Sequence, residues 1–278
     1  MQWAKAKTIM IWLFLIVDIF LLSYLLINKL KTDKDANSHL IAVLKHNNIN
    51  IRAELLNHNS KKIYAYEFLA PDITEELSES FLKNPQKKDN NLYESKDKTA
   101  SLQMNSGYIN YENKKPDFPG FGSVNEKNVH HKLMPYLKAL KIDKYVRPAK
   151  ISKEGKDISV SYSYFFSDME LYSAELNFLV SSDGIKKIEG NINIPNKENG
   201  YDFTLSGIET VLLNFIQNNT FQKEETIVSI NEGYYLINYQ NLLIAQAIPV
   251  YRIKTSNKTY IYDARDGIDA SKRQLYIK

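Results

Sequence analysis

The sequence contains no cysteine, which excludes disulfide bonds, thiolate metal sites and cysteine nucleophiles. It also has little excess charge, because 36 basic residues stand against 32 acidic residues and leave a net charge of +4. Such a balance argues against binding nucleic acid through neutralised phosphates. Hydrophobic residues make up 44% of the 278 positions, so the chain can bury the core of one large domain or two small ones.

Sequence motifs for catalysis or metal binding are missing as well. The zinc-protease pattern H-E-x-x-H and the nucleophile pattern G-x-S-x-G do not occur. Gly120-Phe121-Gly122 lacks the third glycine of a phosphate-binding loop, and residues 263–267 lack the spacing of a calcium loop. No metal-ligand spacing connects the five histidines, which are His39, His46, His58, His130 and His131. We therefore expect a protein that is not an enzyme and that holds no metal ion or cofactor.

One long apolar run stands out near the start of the chain. Residues 9–27 read IMIWLFLIVDIFLLSYLLI, and as a helix they would span about 28 Å, close to the thickness of a bilayer core. A cleaved signal peptide is the alternative, but its apolar region would be shorter and would end in small residues. We predict a cytoplasmic tail over residues 1–8, a transmembrane anchor over 9–28, a juxtamembrane segment over 29–35 and an extracytoplasmic domain over 36–278.

The flanks of this run indicate how the chain is oriented. Lysines occur on both sides, but the segment that follows is a whole domain, which translocates largely regardless of nearby charge. The N-terminus is therefore expected in the cytoplasm and the bulk of the chain outside it, as a single-pass protein of the cell membrane. Four residues have the character of membrane-interface positions, namely Trp3, Lys5, Lys7 and Tyr24.

Asp18 lies at the midpoint of the apolar run, with nine residues on each side. An isolated carboxyl group in a bilayer costs a few kcal/mol and usually faces a protein partner. We expect Asp18 to contact a helix of another protein, and the alternative is a protonated carboxyl bonded to its own backbone. Helical spacing places five apolar residues on the same face, namely Phe14, Leu15, Leu21, Leu22 and Leu25.

The first half of the remaining chain mixes helical and strand patterns. Apolar residues at helical spacing predict helices over residues 36–47, 73–82 and 125–140. A strand is predicted over residues 61–70 and a hairpin over 101–111. Two loops are expected, one over the charged residues 83–98 and one over residues 115–122.

A three-stranded antiparallel meander is the clearest strand signal. Ile158, Val160, Tyr162 and Tyr164 alternate with polar residues, and two similar runs follow over residues 176–180 and 188–194. A helix and further strands then repeat this order, over residues 205–215, 226–230, 234–239, 248–254 and 258–262. The sequence therefore predicts an α+β fold with antiparallel β-sheets and helices packed on one face. Two similar lobes are expected, over about residues 36–122 and 123–278.

Both ends of the chain resemble the YycI family. The N-terminal resemblance lies in Trp3-Ala4-Lys5-Ala6-Lys7-Thr8-Ile9 and in the apolar helix that carries Asp18. The C-terminal resemblance lies in Pro249-Val250-Tyr251-Arg252-Ile253 and in Tyr260-Ile261-Tyr262-Asp263-Ala264, followed by Gly267. Chain length, a single N-terminal anchor and an α+β domain are consistent with the family over the whole chain.

The resemblance implies a regulator without catalysis. YycI proteins are membrane-anchored accessory proteins that act with the similar protein YycH on the sensor histidine kinase YycG, also called WalK. This kinase and its response regulator control cell-wall metabolism, so the resemblance implies a YycH-like protein, the kinase and the membrane as partners. Two alternatives stay open: an extracytoplasmic module that binds a cell-wall fragment or peptide, and an unrecognised hydrolase.

Overall fold

A computed structural model describes residues 2–56, 62–69, 73–105, 107–116, 122–166, 168–192, 194–238 and 244–267. The helices in these ranges are α1 (Gln2–His46), α2 (Glu75–Phe81), α3 (Val129–Ala139) and α4 (Ile208–Asn218), with one 3₁₀ turn over Ala53–Leu56. The strands are β1 (Ile49–Asn50), β2 (Lys62–Leu69), β3 (Pro85–Asp89), β4 (Leu92–Ser95), β5 (Ala100–Asn105), β6 (Tyr108–Asn113), β7 (Val146–Glu154), β8 (Asp157–Phe166), β9 (Met169–Ser181), β10 (Gly184–Asn191), β11 (Ile194–Thr204), β12 (Glu225–Asn238), β13 (Ile244–Thr255) and β14 (Thr259–Asp263). The described chain is mostly β-structure.

These strands form one large mixed sheet. Its main path runs β11-β2-β13-β12-β9-β10-β6-β5-β4-β3. Strands β7 and β8 extend the sheet beside β9, while β14 pairs with β13 and β1 with β12. Most neighbours are antiparallel, but β12 runs parallel to both β1 and β9. The short β9–β12 pairing joins the meander strands to the strands built around β13.

This sheet overturns the predicted fold class. The sequence predicted antiparallel sheets in two similar lobes, over about residues 36–122 and 123–278, whereas strands from both ranges pair with each other. Strand β6 pairs with β10, and β2 pairs with both β11 and β13. Pairing between distant strands depends on which faces they bury together and not on local periodicity. The order of strands in the sheet could therefore not be predicted from the sequence patterns.

The predicted transmembrane helix is a second correction. In the described part of the chain, no helix combines the length and the apolar character that crossing a membrane requires. The apolar run instead lies within α1, a continuous helix from Gln2 to His46, and its residues 12–24 are exposed. The residue boundaries predicted for the segments of the chain stay predictions.

Strand β8 shows how the sheet acquires its buried face. Ile158, Val160, Tyr162 and Tyr164 are buried, and the residues between them are partly exposed, as strict alternation requires. Strand β9 pairs antiparallel with β8 on one side and with β10 on the other. The predicted meander is therefore confirmed, as is the hairpin of β5 and β6.

Short helices cover the buried side chains. In α3, Val129, Leu133 and Leu137 are buried, and α2 begins at a side-chain cap in which Leu77 N donates to Thr74 Oγ1 over 3.1 Å. Helix α4 buries Phe215, whose ring packs edge-on against Tyr260 and Tyr262 of β14. The three helices predicted over residues 73–82, 125–140 and 205–215 are confirmed, with α3 and α4 beginning three to four residues later than expected.

Three local predictions are wrong. Residues 83–98 include β3 and β4 and bury Tyr93, so they are not a loop. Residues 225–238 form one strand, β12, and not the two separate strands predicted over residues 226–230 and 234–239. Residues 36–46 are helical as predicted, but the predicted start of this helix is wrong, because these residues are the C-terminal end of α1. Residues 117–121 of the predicted loop lie outside the described residues.

Candidate interaction surface

The N-terminal part of α1 has an apolar surface on every side. From Trp12 to Tyr24 each side chain is exposed, and the exposed fraction of the large apolar ones ranges from 44% for Val17 to 69% for Phe20. Isolated exposed apolar residues are common, but a contiguous surface of this extent marks an interaction site. We call residues 12–24 the apolar segment of α1.

Most of the site residues predicted from the sequence lie in this segment. Phe14, Leu15, Leu21 and Leu22 are exposed to 59%, 45%, 51% and 61%. Asp18 is exposed among them, on the same face of the helix. Leu25 belongs to α1, but its side chain lies outside the described part. Both the role of these residues as one face and their contact with a partner stay predictions.

The predicted membrane-interface residues also belong to α1. Lys7 and Tyr24 are exposed, and the side chains of Trp3 and Lys5 lie outside the described part. The role of these residues at a membrane stays a prediction.

Asp18 is the single charged residue of the apolar segment. Within the described residues it has no hydrogen-bond or ion-pair partner, whereas the nearby Ser23 hydroxyl donates to the carbonyl of Ile19 over 2.8 Å. Burying a carboxylate without a donor or a cation is strongly unfavourable. A partner that covers this face while Asp18 is ionised must therefore present a hydrogen-bond donor or a positive charge to its carboxylate.

The other end of α1 is fixed in the fold. Leu40 and Leu44 are buried, as the predicted apolar face of residues 36–47 requires. Asn48, at φ 61°, ends the helix, and its side-chain amide donates to the carbonyl of Phe221 over 2.9 Å. The backbone N–H of Glu225 donates back to the carbonyl of Asn48 over 2.9 Å. The apolar segment therefore projects from the strands β1 and β12 on one uninterrupted helix.

The C-terminal motif of the family resemblance has a structural role here. Asp263 is fully buried, and its carboxylate accepts from Nε and Nη2 of Arg265 over 2.9 and 2.7 Å. The N–H of Ala264 donates to the carbonyl of Pro249, and the N–H of Ser206 donates to the carbonyl of Ala264. These bonds attach the segment before α4 to the end of β14, so the motif holds two distant parts of the chain together.

Arg252, from the same motif, stabilises the junction of β9 and β12. Its guanidinium lies 3.9 Å from the ring centroid of Tyr172 and 3.0 Å from the carboxylate of Glu170. The Tyr172 hydroxyl donates to the carbonyl of Glu232 over 2.9 Å. Burial raises the pKa of Tyr172 to about 12, so its hydroxyl keeps its proton at neutral pH. These side chains pack around the short parallel pairing of β9 and β12, and no reactive group lies among them.

The histidines of the described residues form no metal-ligand group. His39, His46 and His131 are exposed, and His130 Nδ1 lies 3.0 Å from the hydroxyl of Tyr162. His58 lies outside the described residues. In the part of the chain that the structure describes, no three histidine, aspartate or glutamate side chains are grouped as metal ligands.

The sequence patterns missed a hollow near the start of β7. Its lining includes the cations Lys144 and Arg147 and the rings of Tyr66, Tyr145 and Phe166. The signal in the sequence is the alternation of cations with an aromatic residue in Lys144-Tyr145-Val146-Arg147, but Tyr66 and Phe166 are distant in sequence. Only the folded sheet brings them to this place.

Comparisons with known proteins show distant similarity of structure. No protein-family model and no curated protein matches the sequence. The chain is similar to an uncharacterised protein from Eubacterium rectale ATCC 33656, with 10% identity over 84% of this chain and 92% of that chain and a TM-score of 0.47. It is also similar to YycH from Bacillus subtilis, with 13% identity over 73% of this chain and 50% of that chain and a TM-score of 0.41.

A third similar structure is the C-terminal domain of YpeB from Bacillus megaterium. Its identity is 9% over 86% of this chain and 94% of that chain, with a TM-score of 0.32. The described chain thus covers half the length of the YycH chain and nearly all of the other two. Membership of the YycI family stays a prediction from the two ends of the sequence.

Proposed function

We propose that this protein is a non-catalytic regulator that binds a sensor histidine kinase of the YycG/WalK type together with a YycH-like protein. In this role it modulates the two-component signalling that controls cell-wall metabolism. The observation that carries the proposal is the exposed apolar segment of α1, which requires a partner surface. The sequence resemblance at both ends of the chain supplies the identity of the partners.

The energetics of the apolar segment favour a stable contact. The large apolar side chains of this segment are about half exposed. Covering one of them with a partner therefore contributes about 1–2 kcal/mol to the free energy of binding. Four such side chains surround Asp18, namely Phe14, Leu15, Leu21 and Leu22. Part of this gain is offset by the entropy lost on association, so the contact needs most of the face to be covered.

Asp18 makes this contact specific for certain partners. An apolar helix surface alone packs against many apolar helices, whereas a carboxylate in the interface tolerates only partners with a matching donor or cation. A kinase or YycH-like helix that places such a group opposite Asp18 would be selected over other helices. We therefore assign Asp18 to specificity and the surrounding apolar residues to affinity.

Regulation requires more than contact with the kinase. A regulator shifts the balance between two kinase states only when it binds them with different free energies. The continuous helix from the apolar segment to the buried Leu40 and Leu44 connects the binding face to the folded domain. A change in the tilt of the bound segment is thereby transmitted to β1 and β12, where α1 is fixed.

Site-specific photocrosslinking in the native cell tests the proposal. The photoreactive residue p-benzoylphenylalanine would replace Phe14 on the Asp18 face or, as the matched control, Phe20 on the opposite face. Both residues are phenylalanines, and the exposed fractions of their side chains are 59% and 69%. We expect Phe14 to crosslink to the kinase or to the YycH-like protein and Phe20 to crosslink to neither.

Three results would contradict the proposal. They are equal crosslinking from both positions, crosslinking from both positions to lipid alone, and crosslinked proteins unrelated to a sensor kinase or YycH. A reporter of the kinase's target genes in a strain without this protein completes the test. Unchanged reporter output in that strain would contradict regulation even if the contact exists.

We also propose that the folded domain acts outside the cytoplasm, on the support of the sequence resemblance. Because the sequence contains no cysteine, one introduced cysteine would be the single thiol of the chain, which makes the location of the domain simple to test. Ser182→Cys, in the exposed turn between β9 and β10, should react with a membrane-impermeant maleimide on intact cells. Reaction only after the cells are broken would contradict this location.

A further inference from the structure

A shallow hollow lies where the start of β7 meets the end of β8 and the middle of β2. Its volume is about 320 Å³, at the lower end of the range for small-ligand sites. The floor is aromatic, since Phe166 is buried and its ring centroid lies 5.3 Å from that of Tyr145 and 6.2 Å from that of Tyr66. Pro195, at the start of β11, also lines the hollow. The hollow therefore places aromatic side chains in a fixed arrangement beside polar groups.

The rim of the same hollow is charged. Lys144 is exposed, and in the described part of the chain its ammonium group has no hydrogen-bond or ion-pair partner. The Arg147 guanidinium lies 4.6 Å from the ring centroid of Phe165, and its Nη2 donates to the carboxylate of Asp168 over 2.8 Å. Stacking on the ring orients the guanidinium, and the five N–H donors of arginine leave capacity for a second acceptor.

Asp168 acts as a replaceable acceptor for Arg147. Its side chain is exposed to 88% and that of Arg147 to 59%, so their ion pair is screened by water. Asp168 lies at φ 65° in the turn between β8 and β9, a conformation that non-glycine residues adopt at some cost. A ligand carboxylate can therefore share or take over the Arg147 donors with little loss of stability in the fold.

We propose that this hollow binds a carboxylate attached to an apolar group, such as an N-acylated hydrophobic amino acid or the C-terminal end of a peptide. The carboxylate contacts Arg147 and Lys144, and the apolar group lies over Tyr145, Tyr66 and Phe166. The two cations favour an anion over a neutral ligand, and the aromatic floor favours an apolar body over a simple inorganic anion. This site is independent of the contact proposed for α1.

Ligand-observed saturation-transfer NMR on the full chain tests the site. The probes are N-acetylphenylalanine, its uncharged amide and the peptide N-acetyl-Ala-Ala-Phe with a free carboxylate. We expect both carboxylates to bind and the amide to bind about tenfold more weakly, since a charge-assisted hydrogen bond is lost. Tighter binding of the peptide would assign the site to peptide ends, and equal binding would assign it to small carboxylates.

Variants at the rim provide the sharper test. Arg147→Gln should weaken N-acetylphenylalanine binding about tenfold, whereas Asp168→Asn should strengthen it, because the competing carboxylate is removed. Lys150→Gln is the matched control, since Lys150 is an exposed cation of β7 outside the hollow. These residues are at the surface, so the variants are expected to fold.

The proposal is overturned if the amide binds as tightly as the carboxylate, or if inorganic phosphate displaces both carboxylates at equal concentration. It is also overturned if Asp168→Asn has no effect on affinity or if Lys150→Gln weakens binding as much as Arg147→Gln. Loss of kinase contact in the Phe14 crosslinking experiment would leave this site standing, because α1 takes no part in it.

Discussion

The buried carboxylate of Asp263 accepts three side-chain hydrogen bonds from the guanidinium of Arg265, from Nε to Oδ1 at 2.9 Å, from Nε to Oδ2 at 3.2 Å and from Nη2 to Oδ2 at 2.7 Å. The backbone N–H of Arg265 donates to the same carboxylate over 2.9 Å. The pair closes the turn after β14, and the carbonyls of Ala264 and Arg265 accept from the backbone N–H and the hydroxyl of Ser206, respectively. A motif that resembles a family signature therefore serves to join the segment before α4 to the sheet.

Removing the guanidinium from this pair should destabilise the fold strongly. Arg265→Gln leaves the Asp263 carboxylate buried without its counter-ion, which costs about 3–5 kcal/mol. Urea denaturation of the full chain, followed by circular dichroism, measures the loss. Arg147→Gln is the matched control, because its exposed ion pair with Asp168 contributes at most about 1 kcal/mol. Equal losses of stability from the two substitutions would show that burial of Asp263 does not determine how much its ion pair contributes to the stability of the fold.

Gly190 should tolerate no side chain. It lies in β10 at φ 144°, and a β-carbon there would clash with the backbone oxygen of Glu175 on β9. We expect Gly190→Ala to cost about 3 kcal/mol or more, because two paired strands must separate to relieve the clash. Gly155→Ala is the comparison, since Gly155 has a positive φ of 65° but open space around it. That substitution should cost about 1 kcal/mol in the same denaturation experiment.

The buried tyrosines predict a loss of stability at alkaline pH. Burial raises the pKa of Tyr136, Tyr172 and Tyr251 to about 12, and it also raises the pKa of Tyr162 and Tyr164. Tyrosines of the unfolded chain ionise near pH 10, so as the pH rises the unfolded state loses these protons before the folded state does. The stability from these groups is complete below about pH 10 and is lost as the pH rises toward 12.

A spectroscopic titration checks this dependence. The near-ultraviolet absorbance of tyrosinate should show one group of tyrosines ionising near pH 10 and a second group ionising only together with loss of the far-ultraviolet circular dichroism. Ionisation of all 19 tyrosines in one step near pH 10, with the fold intact, would contradict the burial of these side chains.

Asp18 should control the association of α1 with its partner. Asp18→Leu removes the carboxylate, so a donor or cation on the partner would be left buried without an acceptor, and the complex should weaken about tenfold. Co-purification with the kinase and the YycH-like protein measures this change. Asp183→Leu, in the exposed turn between β9 and β10, is the control for a changed charge elsewhere. Stronger association of Asp18→Leu would show that the carboxylate opposes the contact.

Elements with strong local patterns could be predicted from the sequence. The alternation in residues 157–166 indicated β8, and the apolar spacing in residues 205–215 indicated α4, because each pattern depends on neighbours within a few positions. The charged stretch 83–98 misled the prediction, since β3 is largely exposed and β4 buries only alternate residues, so the two strands need few apolar side chains. Gly233 falls between the two strands predicted over residues 226–230 and 234–239, whereas in the structure it lies within β12, where the Tyr172 ring packs against its backbone.

The sequence by itself determined the chemistry available to this protein and the location of its apolar segment. The absence of cysteine, the single carboxylate of Asp18 among apolar residues and the alternation of β8 all follow from residues close together in the chain. Only the tertiary structure decided the mixed order of the sheet, the burial of Asp263 and the meeting of Tyr66 with Arg147 and Phe166 around one hollow. The physical reason is that these features depend on which distant strands bury their faces together, and local periodicity carries no information about that choice.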